Sequence, residues 1–396
     1  MKTKLVLFII LLSVIGCTTT EKKGAQPDDG TIVIDVNSAL KNEPRNFEDM
    51  IESIELIPLE TTEASVVGEL FDFIVTDSNI FLSDSYMESL GLIMFDRNGK
   101  FVKRFAHGNG PGEIISVSDV FYGGNNLYVY SDPVRKFYKF TSNGEFVNDK
   151  NSSDEQTAFT IKYGDGFLLV RPHWLDMREQ KFRVIKTDSN FVKLSEAKLD
   201  KNPFTFLTNH LSCIDGVNCL VFRFGDDIVY NYANDSLSLK YRLDYPDFWY
   251  DYSTCKDVEK PSYEGGGRKA LDRNMDEGKF LFGGKLQNCD DYLIFKMYGK
   301  NANIKTVFYN KNTGKTWQLE NQDESSVFNL IKTMGTEQLP GHHNTFCGII
   351  IPEELTEKGE INNPNNLFSA KDIEILKNAK EDDNPIIVIY KMKDNL

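Results

Sequence analysis

The stretch Phe95–Glu113, FDRNGKFVKRFAHGNGPGE, decides the fold. Its first half reads as a strand, a tight turn at Asn98 and Gly99, and a second strand, because an Asn-Gly pair between apolar runs is a strong hairpin signal. Its second half, HGNGPGE, has three glycines that open backbone conformations closed to other residues and a proline that stiffens the link. Such a loop suits a tight crossing from one sheet to the next, with Glu113 capping the crossing or accepting hydrogen bonds from its amides. A phosphate cradle of the P-loop kind would need GK[ST] before a helix, which the loop lacks. Upstream, FDFIV, NIFLSD and GLIMFD precede KFVKRFA with short polar turns between them, so four successive runs make one antiparallel sheet.

The same order of apolar strand, turn and strand returns at Tyr138–Val147 (YKFTSNGEFV), Val184–Val192 (VIKTDSNFV), Val229–Leu239 (VYNYANDSLSL), Val307–Leu319 (VFYNKNTGKTWQL) and, truncated, Ile386–Met392 (IIVIYKM). From Phe95 to Val229 the units start about 43 to 46 residues apart, a period suited to four-stranded propeller blades. A β-sandwich shares the alternation but not the recurrence of one order at near-equal periods. Six units predict an all-β, six-bladed β-propeller of four-stranded antiparallel blades over residues 31–396. The segment Ile51–Leu59 precedes the first full blade, and IIVIYKM ends the chain within only part of one. Pairing the two closes the ring, with Ile51–Leu59 as the outer strand of the last blade, and hides a free edge. Thr31–Val36 adds a further strand or lies along the rim.

Two insertions break the rhythm, Tyr245–Gly284 and Gln322–Asp383. In the second, Ser369 and Asp372 fit a capping box for a short helix ending near Ala379. Both insertions are expected near one end of the channel.

The N-terminus MKTKLVLFIILLSVIGC joins two lysines, an apolar run from Leu5 to Ile15, and Gly16 before Cys17. This run is too short for the roughly 20 residues of a membrane span and reads as an export signal over residues 1–16. Val14, Ile15, Gly16 and Cys17 resemble the lipobox of bacterial lipoproteins, which implies lipidation of Cys17 and a membrane anchor. Residues 17–30 are small and polar and read as a tether.

With 59 acidic and 45 basic residues the formal charge is -14, and no basic patch suits nucleic acid. Five cysteines remain beside Cys17: Cys213, Cys219, Cys255, Cys289 and Cys347. Cys213 and Cys219 flank a turn-forming IDGVN and face each other if the hairpin register allows. No CxxC or CxxxH spacing points to zinc.

The runs IELIPLETT (Ile54–Thr62), FDRNGKFVKRFAHGNGPGE and NPIIVIYKMK (Asn384–Lys393) together resemble the six-bladed β-propeller lipoproteins of Bacteroides and its relatives, which are distantly like NHL-repeat proteins. The resemblance spans nearly all of residues 17–396 and implies the fold and the anchor, with the outer membrane as the place of residence. It carries no catalytic residue set and no cofactor.

Function is therefore sought in what breaks the repeat. Tyr245, Phe248, Trp249, Tyr250 and Tyr252 crowd aromatic area into one insertion, either as a stacking platform for a ligand or as rings pinning the insertion to the propeller. Arg268 follows three glycines at a basic loop tip on an acidic protein. His173 and Trp174 begin a loop after a strand, a better place to meet a ligand than a strand interior. His342 and His343 sit in LPGHHN. His107 and His210 complete the histidines. These features point to a lipid-anchored module that binds a glycan or an envelope protein without catalysis, metal or cofactor. The alternative is a metal-assisted hydrolase or lyase at the channel mouth. Cys17→Ala is expected to move the protein from the membrane fraction to the soluble fraction on ultracentrifugation; retention in the membrane would refute the anchor.

Overall fold

In the run Asn79–Tyr86 the apolar residues Ile80, Phe81 and Leu82 are consecutive and all buried, so both faces of this strand must be covered. A ring of sheets packed face to face meets that demand. The structure is a computed structural model, and it describes residues 30–86, 89–152, 157, 159–172, 181–200, 210–214, 216–249, 278–300, 303–319, 339, 341–356, 363–394 and 396. The signal, Cys17 and all of the tether except Gly30 lie outside the described residues.

The chain begins with β1 (Ile32–Asp35) and β2 (Ile51–Pro58), which serve later blades. Blade one is β3 (Glu69–Val75), β4 (Asn79–Tyr86), β5 (Ser89–Asp96) and β6 (Phe101–Arg104). Blade two is β7 (Asp119–Gly123), β8 (Asn126–Ser131), β9 (Lys136–Thr141) and β10 (Phe146–Asn151). Blade three is β11 (Phe159–Tyr163), β12 (Gly166–Arg171), β13 (Phe182–Thr187) and β14 (Lys193–Leu199). Blade four is β15 (Leu211–Ile214), β16 (Asn218–Val221), β17 (Ile228–Ala233) and β18 (Ser236–Asp244). Blade five is β19 (Leu281–Asn288), β20 (Tyr292–Tyr298), β21 (Ile304–Asn310) and β22 (Thr316–Gln318). Blade six joins β23 (Thr345–Ile350) and β24 (Ile386–Met392) to β2. The protein is a six-bladed β-propeller.

Six apolar clusters fill the gaps between successive blades. Phe81, Leu92 and Met94 of blade one meet Val120, Leu127 and Val129 of blade two, while Ile80, Leu82 and Ile93 turn the other way toward Ile349, Ile387 and Ile389 of blade six. The period of two along each strand thus sends alternate side chains to opposite neighbours. First strands of adjacent blades, such as β7 with β11 and β15 with β19, lie side by side around the central channel.

The ring closes as the sequence predicts. β2 pairs antiparallel with β24, from Ile51 opposite Met392 to Pro58 opposite Ile386. The segment before β2 adds a strap across outer edges. β1 runs parallel to β18 as a fifth strand of blade four, and a helix, Val36–Lys41, is capped by Asp35 accepting from the Ser38 amide at 2.8 Å. Thr316 Oγ1 then donates to the Asp35 carbonyl at 2.6 Å, and Arg45 lies over the Trp317 ring at 4.5 Å on blade five.

Other local predictions hold. Gly99 takes φ +81°, and Asp96 Oδ1 accepts from the amides of Asn98 and Lys100 at 2.8 and 2.9 Å. Ser369 and Asp372 form the capping box of the helix Ala370–Asn378. Cys213 and Cys219 are direct partners across the β15–β16 hairpin and form a disulfide. Cys289 and Cys347 are buried free thiols, and Cys255 lies outside the described residues. The second insertion is shorter than its sequence limits suggest, because β23 belongs to blade six.

Leu56 is buried in the gap between blades five and six, so Leu56→Ala is expected to cost about 2 to 5 kcal/mol in urea unfolding. Ser53→Ala, at an exposed position of the same strand, is expected to change stability by less than about 0.5 kcal/mol.

Candidate functional site

Strand direction sorts the connections onto two ends of the ring. In each antiparallel blade the links from second to third strand, and from one blade to the next, leave at one end. The turns joining first to second and third to fourth strands lie at the other. The first insertion runs from β18 to β19 and the helical one from β23 to β24, so both emerge at the first end. The link from β12 to β13, which contains His173 and Trp174, starts and finishes at that end too. His342 and His343 precede β23 and therefore sit at the opposite end from Trp249.

At the loop-bearing end, Tyr245 is buried and meets Trp249 edge-on at 5.3 Å, and Phe248 meets Phe280 at 5.7 Å. Trp249 and Phe248 pack against the cluster between blades four and five. These rings pin both ends of the insertion to the propeller, which gives Trp249 a packing role. His173, Trp174, Tyr250, Tyr252 and Arg268 lie outside the described residues.

At the far end the two histidines tie blades together. His342 Nε2 lies 2.9 Å from Asp77 of blade one, and His343 lies 3.1 Å from both Asp290 and Asp291 of blade five. Burial pushes the Asp291 carboxyl up, but hydrogen bonds from Asn344 and Asn312 and the adjacent His343 outweigh it and hold the group below its ordinary range. His210 is buried, with Nδ1 3.1 Å from the Phe222 carbonyl.

The HGNGPGE loop is a crossover, as predicted. The Gly110 amide donates to Glu113 Oε2 at 2.8 Å, and His107 Nδ1 lies 3.1 Å from the Ile114 carbonyl. A Cβ at Gly108 would come within 2.2 Å of Glu113 Oε2, so the carboxylate fills the space an anion would need.

The unusual charges lie in and beside the channel strands. In β19 the pairing with β20 slips between Phe282 and Leu286, so that Gly283, Gly284 and Lys285 bulge opposite Lys296. A Cβ at Gly283 would lie 2.1 Å from the Tyr298 ring, so glycine is what lets that ring cross the strand. In β3 a second slip between Leu70 and Asp72 leaves Phe71 unpaired and 47% exposed. Asp72 is half-buried. Burial raises its carboxyl to about 6, against the Phe73 amide donating at 2.8 Å and the charge of Lys285. Burial lowers Lys296 to about 8, and Lys285 pushes the same way. Lys285 on blade five therefore acts on both Asp72 of blade one and Lys296. Among the described residues no group of three His, Cys, Asp or Glu is placed to hold a metal ion.

Sequence reasoning did not find this set. Its one signal is a lone charge inside an apolar run: Asp72 in FDFIV, Lys285 in FGGKL and Lys296 in LIFKMY.

The family model described as Domain of unknown function (DUF4934) matches residues 31–391. Among solved structures the chain is similar to a Bacteroides fragilis protein described as exported, at 15% identity and a TM-score of 0.68, over 92% of this chain and 99% of that one. It is also similar to a member of the DUF4221 family from Bacteroides vulgatus, at 10% identity and a TM-score of 0.50, over 87% and 97%. At these identities the likeness shows the fold alone. No curated protein matches the sequence.

The raised Asp72 carboxyl gives a pH signature. Its folded value, about 6, exceeds the ordinary 3.8, so ionising it costs stability as pH rises from about 4 through 6. Asp72→Asn is expected to stabilise the fold by about 2 to 3 kcal/mol above pH 6 and to leave it unchanged below pH 4, measured by urea unfolding across pH.

Proposed function

The chain belongs to the DUF4934 family, and from that premise we propose that it is a lipid-anchored binding module of the cell envelope. It takes a glycan or an envelope protein and does not transform it. The observation that supports this reading is that the strand ends flanking both insertions, and those flanking the link from β12 to β13, lie at one end of the ring. Loops displayed on one face of a rigid scaffold are the usual means of recognition.

The anchor rests on the lipobox ending at Cys17, with residues 1–16 as the signal and 17–30 as the tether; the propeller then takes up residues 31–396. A Bacteroides fragilis protein described as exported shares the fold, and the outer membrane is the location we assign on the strength of the lipobox. In this reading the chain stands beside the propeller lipoproteins distantly like NHL-repeat proteins. Among the described residues no cluster of His, Cys, Asp or Glu is placed to hold a metal ion, and metal-assisted hydrolysis or lysis at the channel mouth stands as the alternative reading.

The test is a glycan array and a pull-down from envelope extracts with the full chain in detergent, followed by analysis of the retained ligand. Saturable retention of an unaltered ligand is expected. Cleavage of the retained ligand on incubation would replace this reading with the enzymatic one.

A further inference from the structure

A cleft of about 430 Å3 separates the helix Ala370–Asn378 from the seam where β2 meets β24, a volume within the range of about 300 to 1,000 Å3 usual for small-ligand sites. Pro58 ends β2, Ile386 begins β24 and the two are direct partners, so the cleft lies at the loop-bearing end of the ring. Its walls are held in place. Asp372 caps the helix, and its Oδ1 also accepts from the Leu56 amide at 3.3 Å, which ties the helix to β2. On the other side the buried Asn384 donates from Nδ2 to the carbonyls of Glu60 and Ser65, each at 2.8 Å, and accepts from the Val67 amide at 2.8 Å. Its own amide donates to Thr61 Oγ1 at 2.8 Å. Walls fixed in this way need little ordering when a ligand enters.

Helix periodicity decides which side chains line the cleft. Lys371, Glu374, Ile375 and Asn378 recur at i, i+3, i+4 and i+7 and form one stripe along it, while Asp372 and Leu376 turn to the protein and are buried. The rest of the lining includes Pro58, Leu59 and Pro352, with Thr61 and Asp383 among them. An ammonium, two carboxylates, an amide and a hydroxyl therefore share one cleft with prolines and aliphatic side chains, and donors and acceptors are both present. Lys371 offsets one of the two carboxylates, which leaves the lining net negative in a chain of formal charge -14. That balance disfavours an anion. It suits an uncharged ligand whose hydroxyls both donate and accept and whose ring has an apolar C–H face.

We propose that this cleft holds a neutral sugar unit of the glycan, with the Glu374 carboxylate and the Asn378 amide bonding its hydroxyls and the prolines covering its C–H face. The inference rests on the binding reading above and places the glycan against the helical insertion rather than the aromatic one.

The test is calorimetric titration of the full chain in detergent at pH 7 with the neutral trisaccharides maltotriose, cellotriose and mannotriose, and with trigalacturonate as their anionic counterpart. At least one neutral trisaccharide is expected to bind, about tenfold or more tighter than trigalacturonate. Glu374→Ala is expected to weaken that binding about tenfold, and Asn378→Trp, which fills the cleft from an exposed position, to abolish it, both with an unchanged melting temperature. Lys377→Ala, on the same helix but outside the cleft, is expected to leave affinity unchanged, which separates a site from a general effect of the helix surface. Binding of none of the three, tighter binding of trigalacturonate, or parental affinity in both cleft variants would overturn the inference. If the array retains glycans that both cleft variants still bind, the cleft inference falls and the binding reading stands. If the chain retains no ligand of any kind, both fall.

Discussion

The pairing of β2 with β24 closes the ring and completes the outer side of blade six. Blade six draws its outer strand from residues 51–58 and its neighbour from residues 386–392, so the two ends of the chain meet in one sheet. Clusters on both faces of that sheet, toward blade five and toward blade one, need the closed ring to be buried. The strap formed by β1, the Val36–Lys41 helix and Arg45 extends the closure over the outer edges of blades four and five. Covered edges are also edges that cannot template aggregation.

Packing on both faces leaves little freedom within a blade, and local geometry yields to it. The turn that carries Gly99 in blade one and Gly144 in blade two carries Phe191 in blade three, still at positive φ. A left-handed backbone costs a non-glycine residue about 1 to 2 kcal/mol. Here the ring stacks on Phe137 at 3.8 Å and on Phe167 at 4.3 Å, filling the gap between blades two and three. Burial of that ring offsets the strain. Against such interiors, the charges of Asp72, Lys285 and Lys296 in and beside the channel strands stand out.

Much of the fold was legible because its signals are local and repeated: the hairpin turns, the period, the capping box at Ser369 and the crossover at Glu113. The site was less legible. His342 and Trp249 share the property of interrupting the repeat, yet strand direction sends them to opposite ends, and direction follows from which strand each one precedes or follows. His342 and His343 join blades through Asp77, Asp290 and Asp291, which are distant in sequence and adjacent only once the ring is closed.

By itself the sequence determined the blade count and the crossover loop, since each depends on patterns within a few tens of residues, and it pointed to the closure because each end of the chain carries a strand pattern without a full blade around it. Tertiary structure alone decided that Cys213 meets Cys219, because pairing depends on register, and that β23 belongs to blade six. It alone brought Lys285 to Asp72, more than two hundred residues apart. Charges couple through space, and no spacing in a chain records which strands will share a channel. The Phe95–Glu113 stretch therefore announced the ring, and the closed ring then decided which distant residues, such as His343 and Asp290, tie its blades together.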